Sequence, residues 1–282
     1  MQYYQKKYVV YEILKNCANR DFSALSNNEA NIRGLKVACI FDFNRALKLI
    51  NWEKNKQNLY RSVSTLRSIP QFTFNPLIRS SETSVWYRNE YSNYVTKYDL
   101  LFDFDKSKDE KWDNLIKDLK TLKGYLDDYL VPYYIIFSGN KGFQLLINGE
   151  LLPIKKIEKG NIFPHKKIIE NIKEMLDLKF LDLSNNGVNS RLCKIPYSLV
   201  LGGCKKELNE IEIKEYDEKN MTIALPLSDE QIEKFEFEKM KMSNVIKEIP
   251  LIRRGNLERF DNLSLDEKKG NIQKFIKVFD FK

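Results

Sequence analysis

The sequence predicts an α+β fold built around a β-α-β-β-α-β module. Three observations predict it. A β-rich run over 98–105 precedes a segment with apolar residues at helical spacing. Two further β-rich runs flank the tight turn 138–142, which is typical of a hairpin. A second helical pattern then leads into a short strand that ends at Asp182. This order is the split β-α-β of the ferredoxin-like fold, whose strands lie in the order 4-1-3-2 with antiparallel neighbours.

The residues before this module have a less regular pattern. We expect a smaller α/β module over 1–97. Its predicted elements are a helix over 4–16 with Tyr8, Tyr11 and Leu14 on one stripe, an extended piece over 19–25, a helix in the second half of 35–50, a strand over 59–64, and irregular strands and loops over 65–97.

The central module is predicted to cover 98–205. Its first helix follows Ser107, a plausible N-cap, and its second begins near Pro164. The predicted buried residues of the two helices are Trp112, Leu115, Ile116, Leu119, Leu122 and Leu126, then Ile168, Ile169, Ile172, Met175 and Leu176. The strands are predicted over 133–137, 143–147 and 178–182. We expect a mostly helical C-terminal extension over 206–282, with amphipathic helices over 232–245 and 264–278.

Composition narrows the functional classes. The 282 residues carry a net charge of +8, which permits a polyanionic partner without identifying one. No apolar run approaches the roughly 20 residues of a membrane span, and the N-terminus lacks the apolar core of a signal peptide, so we expect a cytoplasmic protein with no membrane partner. The four cysteines show no CxxC spacing, and the single histidine is His165. Catalysis is therefore expected to rest on carboxylates, Lys, Arg, Ser or Tyr.

Two acidic residues close the first strand of the module. Asp103 and Asp105 share one face, because side chains alternate along a strand, and Phe102 and Phe104 share the other. Adjacent carboxylates on an apolar strand are costly unless they are compensated. A divalent metal ion compensates them well, and a strand end that runs into solvent is the alternative. The predicted strand order brings Asp182 and the turn 138–142 to the same rim.

These residues resemble the motifs of the archaeo-eukaryotic primase superfamily. Asp103-Phe104-Asp105 resembles its Asp-x-Asp strand. The segment 138–144, Ser-Gly-Asn-Lys-Gly-Phe-Gln, resembles its Ser-Gly-x-Arg/Lys-Gly-x-His turn. Leu181-Asp182 resembles its third motif, and 194–198, Lys-Ile-Pro-Tyr-Ser, the segment that trails it. Two upstream segments, 20–23 and 60–63, are also similar, so the resemblance spans about residues 19–205.

The resemblance implies a primase-like catalytic core in which the ferredoxin-like module packs on the N-terminal module and forms a cleft. It implies a template-dependent nucleotidyltransferase, a primase-polymerase that makes or extends DNA or RNA primers. The implied partners are single-stranded DNA template, primer, and NTP or dNTP. By resemblance, two Mg²⁺ or Mn²⁺ ions, and no zinc, are held by Asp103, Asp105 and Asp182. The nucleotide-binding residues implied in the same way are Ser138, Gly139, Lys141, Gln144, Lys194 and Ser198.

The sequence also departs from that family. Gln144 stands where the second motif has His, and Val200 stands where a His usually follows the Pro-x-Ser segment. The zinc knuckle of cellular small subunits is missing. The compact core therefore resembles CRISPR-associated or mobile-element primase-polymerases, which implies a larger replication or CRISPR adaptation complex.

Two other functional classes stay open. A catalytically weak nucleic-acid-binding accessory subunit would explain the lost histidines, while the retained carboxylates favour the enzyme. A generic ferredoxin-like RNA-binding domain would need an aromatic-rich consensus on its central strands, which is absent. At single positions, Gln144 also fits a plain sheet-edge amide, and Lys141 a solvated turn lysine.

Overall fold

The computed structural model describes residues 3–25, 32–49, 58–68, 91–107, 109–152, 165–184, 191–200, 222–236 and 257–277. The helices of these residues are α1 Lys7–Cys17, α2 Ile40–Leu49, α3 Trp112–Asp128, α4 His165–Met175, α5 Asp229–Glu233, α6 Leu257–Asp261 and α7 Leu265–Lys277. The strands are β1 Phe22–Leu25, β2 Ile32–Leu35, β3 Asn58–Ser62, β4 Ser64–Leu66, β5 Val95–Tyr98, β6 Leu100–Asp105, β7 Tyr134–Phe137, β8 Gly142–Ile147, β9 Leu181–Asp182, β10 Leu192–Lys194, β11 Leu199–Val200, β12 Thr222–Ile223 and β13 Leu225–Pro226. None of the described helices is long and apolar enough to cross a membrane.

A five-stranded sheet forms the centre of the molecule, in the order β13-β7-β8-β6-β9. All of its neighbouring strands are antiparallel. The four strands predicted from the sequence lie in the predicted 4-1-3-2 order, and β13 adds a fifth at the β7 edge. β6 lies between β8 and β9 and pairs with both. Its apolar side chains are buried on both faces, which accounts for its nearly continuous apolar sequence.

The two faces of this sheet meet different partners. Phe102, Phe104 and Phe143 pack into the larger core together with the apolar stripes of α3 and α4. Leu101 and Leu146 belong to a second cluster that includes Cys193 of β10. Because side chains alternate along β6, Asp103 and Asp105 lie on the same face as Leu101. The carboxylates therefore lie on the face of the sheet that meets β10.

The two predicted module helices form, with differences at their ends. The predicted apolar residues Leu115, Ile116, Leu119, Leu122 and Leu126 of α3 are buried. This helix begins at Trp112 rather than just after Ser107, with Lys111 at the N-cap position, and the backbone N–H of Ser107 donates to the Glu110 carboxylate ahead of it. In α4 the three isoleucines are buried, but Met175 is 44% exposed, because it ends the helix.

The second large sheet has the order β10-β3-β1-β2. Its edge strand β10 comes from the predicted central module and pairs with β3 of the predicted N-terminal module. In the same way, β13 comes from the predicted C-terminal extension and pairs with β7. At β10 and at β13, a strand of one predicted module therefore pairs with a strand of another. The predicted module boundaries at residues 97 and 205 stay a prediction.

The stripe predicted for the first helix was wrong. Tyr8 and Tyr11 of α1 are exposed, whereas Val9, Val10 and Ile13 are buried. Both sets recur at helical spacing, and burial of the aliphatic set leaves the tyrosine hydroxyls in water. At the other terminus, α7 agrees with the helix predicted over 264–278. The helix predicted over 232–245 lies mostly outside the described residues.

A buried ionic cluster joins the two sheets. Asp99, just before β6, forms ion pairs with Arg20 at 2.9 Å and with Arg61 of β3 at 3.5 Å. Its carboxylate also accepts a hydrogen bond from the backbone N–H of Gly149 at 2.9 Å. Arg61 donates to the hydroxyl of Tyr134 on β7. A buried charge needs partners of this kind, so the cluster fixes β6 relative to the sheet that carries β10.

Candidate active site

Backbone pairing brings the predicted carboxylates together. Asp103 is the register partner of Asp182 on β9 and of Gln144 on β8, and Asp105 is the partner of Gly142. Burial raises the pKa of Asp103 to about 6; the charges of Asp105 and Asp182 also raise it, while Arg191 and the hydrogen bond from Gln144 lower it. The Asp103 side chain is 20% exposed. Its negative charge is therefore unfavourable in this position and would be stabilised by an added cation.

Each carboxylate already has a partner within the chain. Arg191 Nη2 lies 3.2 Å from Asp103 Oδ2. Lys141 Nζ lies 2.5 Å from Asp105 Oδ2. Asp182 accepts two hydrogen bonds from Ser184, one from its backbone N–H at 2.7 Å and one from its hydroxyl at 2.6 Å.

Arg191 was not among the candidate residues, although it contacts Asp103 directly. Its side chain is 5% exposed, and among the described residues its buried Nη1 has no hydrogen-bond partner. The only sequence signal is its position just ahead of the Lys194 segment. That signal does not predict a contact with Asp103, 88 residues earlier.

The metal ligand set remains a prediction. Carboxylate oxygens are the ligands that Mg²⁺ and Mn²⁺ prefer, and the register places two of the three acids side by side. Within the ranges that the structure describes, however, no group of three or more His, Cys, Asp and Glu side chains is arranged to hold a metal ion. In kind the donors suit a divalent ion. Each of them contacts a neighbour in the chain: Asp103 contacts Arg191, Asp105 contacts Lys141 and Asp182 contacts Ser184.

The turn 138–142 is held tightly against the end of β6. Gly139 has φ +88°, and a Cβ there would lie 2.4 Å from a methyl group of Val200. A Cβ on Gly142 would lie 1.8 Å from the backbone oxygen of Phe104. The backbone N–H of Ser138 bonds to Gly142 O at 2.9 Å. Glycine is therefore required at both positions, and the turn places Lys141 beside Asp105.

The charged neighbours of Lys141 are acidic and stabilise its positive charge. Burial lowers the pKa of Lys141, but the hydrogen bond and charge of Asp105, with smaller contributions from Asp103 and Asp182, outweigh it and raise the pKa. More than half of the side chain is exposed. Lys141 therefore stays protonated and accessible to an anionic ligand.

Gln144, Lys194 and Ser198 make internal contacts. Gln144 donates to Asp103 and accepts from the backbone N–H of Lys194. Lys194 is largely buried, and its Nζ lies 4.1 Å from the ring centroid of Tyr60. Ser198 is fully buried, and its hydroxyl donates to the carbonyl of Ile195 at 2.7 Å. The structure thus brings Gln144 against Asp103 and the backbone of Lys194 against Gln144, whereas the Lys194 side chain lies over Tyr60 and the Ser198 hydroxyl is directed to its own loop.

Comparison with known proteins finds likeness among solved structures. No protein-family model matches the chain, and no curated protein matches it. Among solved structures, the chain is similar to the polymerase domain of Ligase D from Mycobacterium tuberculosis, a structure in complex with DNA. The identity is 13%, the TM-score is 0.46, and the match covers 99% of this chain and 88% of that one. A TM-score below 0.5 does not establish a shared fold, so the functional argument depends on the site.

Proposed function

We propose that the protein is a template-dependent nucleotidyltransferase of the primase-polymerase type. The observation that carries the proposal is the pairing of β6 with β8 and β9. It places Asp103 opposite Asp182 and Asp105 opposite Gly142, beside the turn that bears Lys141. Transfer of a nucleotidyl group requires charge stabilisation at a triphosphate and little covalent chemistry. The carboxylates offer ligands for a divalent ion, and Lys141 adds a protonated, exposed positive charge beside them.

Within this proposal, the carboxylates are the metal ligands. Asp103, Asp105 and Asp182 would hold two divalent ions. When bound, such ions lower the pKa of an attacking hydroxyl and stabilise the pyrophosphate that leaves. The raised pKa of Asp103 supports this role, because a site that disfavours negative charge without metal gains more when a cation enters.

The turn and the lysines would hold the nucleotide. Backbone N–H groups of a glycine-containing turn attract anions, and Lys141 adds an exposed positive charge. Lys194 provides a second charge, and the ring of Tyr60 holds its side chain in one orientation. The net charge of +8 is compatible with a DNA template and primer.

A metal-dependent incorporation assay tests the proposal. Labelled NTPs and dNTPs are supplied with primed and unprimed single-stranded DNA, with Mg²⁺, Mn²⁺ or chelator. Products are expected only with metal, and the Asp103→Ala/Asp105→Ala variant should give none. Asp261→Ala, which removes an exposed carboxylate on α6, is the matched control and should retain activity. Incorporation by the double variant would contradict the proposed site.

A second function has its own observation. Because each carboxylate is already paired within the chain, and no three-acid group among the described residues is arranged for a metal, a non-catalytic nucleic-acid-binding subunit is the other candidate. It predicts that single-stranded DNA binds and that no nucleotide is incorporated with any metal. The same assay, accompanied by a DNA-binding measurement, separates the two functions.

A further inference from the structure

Gln144 lies where the carboxylates meet the second sheet. It is in β8, 6% exposed, and is paired in register with Asp103 of β6 and Ile136 of β7. Its Nε2 lies 3.3 Å from Asp103 Oδ1. Its Oε1 lies 3.1 Å from the backbone nitrogen of Lys194.

The orientation of this amide follows from its partners. A carboxylate oxygen of Asp103 accepts hydrogen bonds, and the backbone N–H of Lys194 can only donate. Turning the amide over would place oxygen against oxygen and N–H against N–H. Both polar ends of Gln144 are therefore committed to neighbours in the chain.

The contact with Lys194 also has a structural reason. Among the described strands, β10 lies at the edge of its sheet and pairs with β3. Because N–H groups alternate in direction along a strand, the N–H of Ile195 is directed to Leu59 of β3 at 3.4 Å, and that of Lys194 is directed away from β3. Gln144 provides the acceptor that this outward N–H needs.

We propose that Gln144 is a positioning residue that links the carboxylate site to the strand carrying Lys194. The inference rests on the proposed function and deepens it. Through one amide, the Asp103 carboxylate is held in place, and β10 is fixed relative to it. The distance between the proposed metal ligands and the lysine that would bind the triphosphate is thereby set by Gln144. The side chain does not itself contact the nucleotide.

The first experiment measures Mn²⁺ binding without nucleotide by electron paramagnetic resonance. Gln144→Leu keeps the approximate volume and removes both hydrogen bonds. Loss of a residue that orients a ligand typically weakens metal binding by about 10- to 100-fold, and we expect a decrease in that range. Leu146→Val loosens the same face of β8 without touching Asp103 or Lys194, so its Mn²⁺ affinity should stay near wild type.

Steady-state kinetics separate positioning from direct contact with the nucleotide. If Gln144 positions the site, Gln144→Leu lowers kcat at saturating Mn²⁺ and nucleotide. If instead it binds the triphosphate, Gln144→Leu raises the nucleotide KM and leaves Mn²⁺ affinity and kcat unchanged. That second pattern would overturn the proposal.

Hydrogen exchange of the Lys194 amide tests the link without any metal or activity. Gln144→Leu should lose the protection of this amide, while Gln144→Glu, which keeps an acceptor oxygen, should retain it. If the wild-type protein neither binds Mn²⁺ nor incorporates nucleotide, the proposed function fails and the exchange measurement still decides the link. Unchanged protection in Gln144→Leu would refute it.

Discussion

Replacing Asp103 by Asn should stabilise the metal-free protein, and the gain should depend on pH. The pKa of Asp103 is raised from 3.8 to about 6. As pH rises, the unfolded chain therefore loses this proton before the folded chain does. Between about pH 4 and pH 6 the folded state binds more protons, so its stability falls as pH rises, and the loss is complete above about pH 6.

The size of the effect follows from the same pKa. A difference of this size corresponds to about 3 kcal/mol. Because the Asp103 side chain is one-fifth exposed and solvent screens its neighbours, we expect about 1–3 kcal/mol. Asn mimics the protonated carboxyl, so Asp103→Asn should be more stable than wild type by this amount at pH 8, by about a third of it at pH 4.5, and nearly equal to it only near pH 3.

Urea unfolding in chelator at several pH values between 3 and 8 measures this difference directly. The relevant quantity is the difference between the two free energies of unfolding, because other groups that titrate in both proteins cancel. Asp261→Asn, on an exposed helix end, should show no such pH-dependent difference. If Asp103→Asn is less stable than wild type at pH 8, the attraction of Arg191 outweighs burial and the neighbouring acids. The stated origin of the raised pKa would then be wrong.

Three further predictions concern the parts that surround the carboxylates. Gly142→Ala should destabilise the protein by several kcal/mol in urea unfolding, because its Cβ would lie 1.8 Å from Phe104 O; Gly124→Ala, in the open middle of α3, should instead stabilise it by about 0.5–1 kcal/mol, and equal effects would contradict the packing described for the turn. Asp99→Ala should cost about 3–5 kcal/mol, since it leaves the buried guanidinium of Arg61 without its carboxylate; a loss below 1 kcal/mol by the same measurement would show that the cluster does not hold the sheets together. Lys141→Ala should raise the nucleotide KM at least about tenfold, the typical worth of a charge-assisted hydrogen bond, with Lys120→Ala on α3 as the control, and an unchanged KM would remove Lys141 from the nucleotide site.

Local sequence pattern determined the central module. The alternation along 98–105, the glycine turn between two β-rich runs and the apolar stripes of α3 and α4 each specify one element. Each of these patterns lies within a short segment or repeats at a fixed period, so it can be recognised without a structure. The split β-α-β connectivity then leaves few strand orders, and the observed order is the predicted one. From that order it also followed that Asp103, Asp182 and the turn 138–142 lie close together.

Tertiary structure decided how these residues are used. Arg191 meets Asp103, and Gln144 meets the backbone of Lys194, through contacts between segments that no local pattern relates. β10 joins the second sheet because β3 offers a free edge, which is a property of the other module. In α1, two helical stripes were equally regular, and only the shape of the core selected the aliphatic one. Pattern specifies which residues form an element, whereas the partner of each face, edge and charge depends on where the rest of the chain packs.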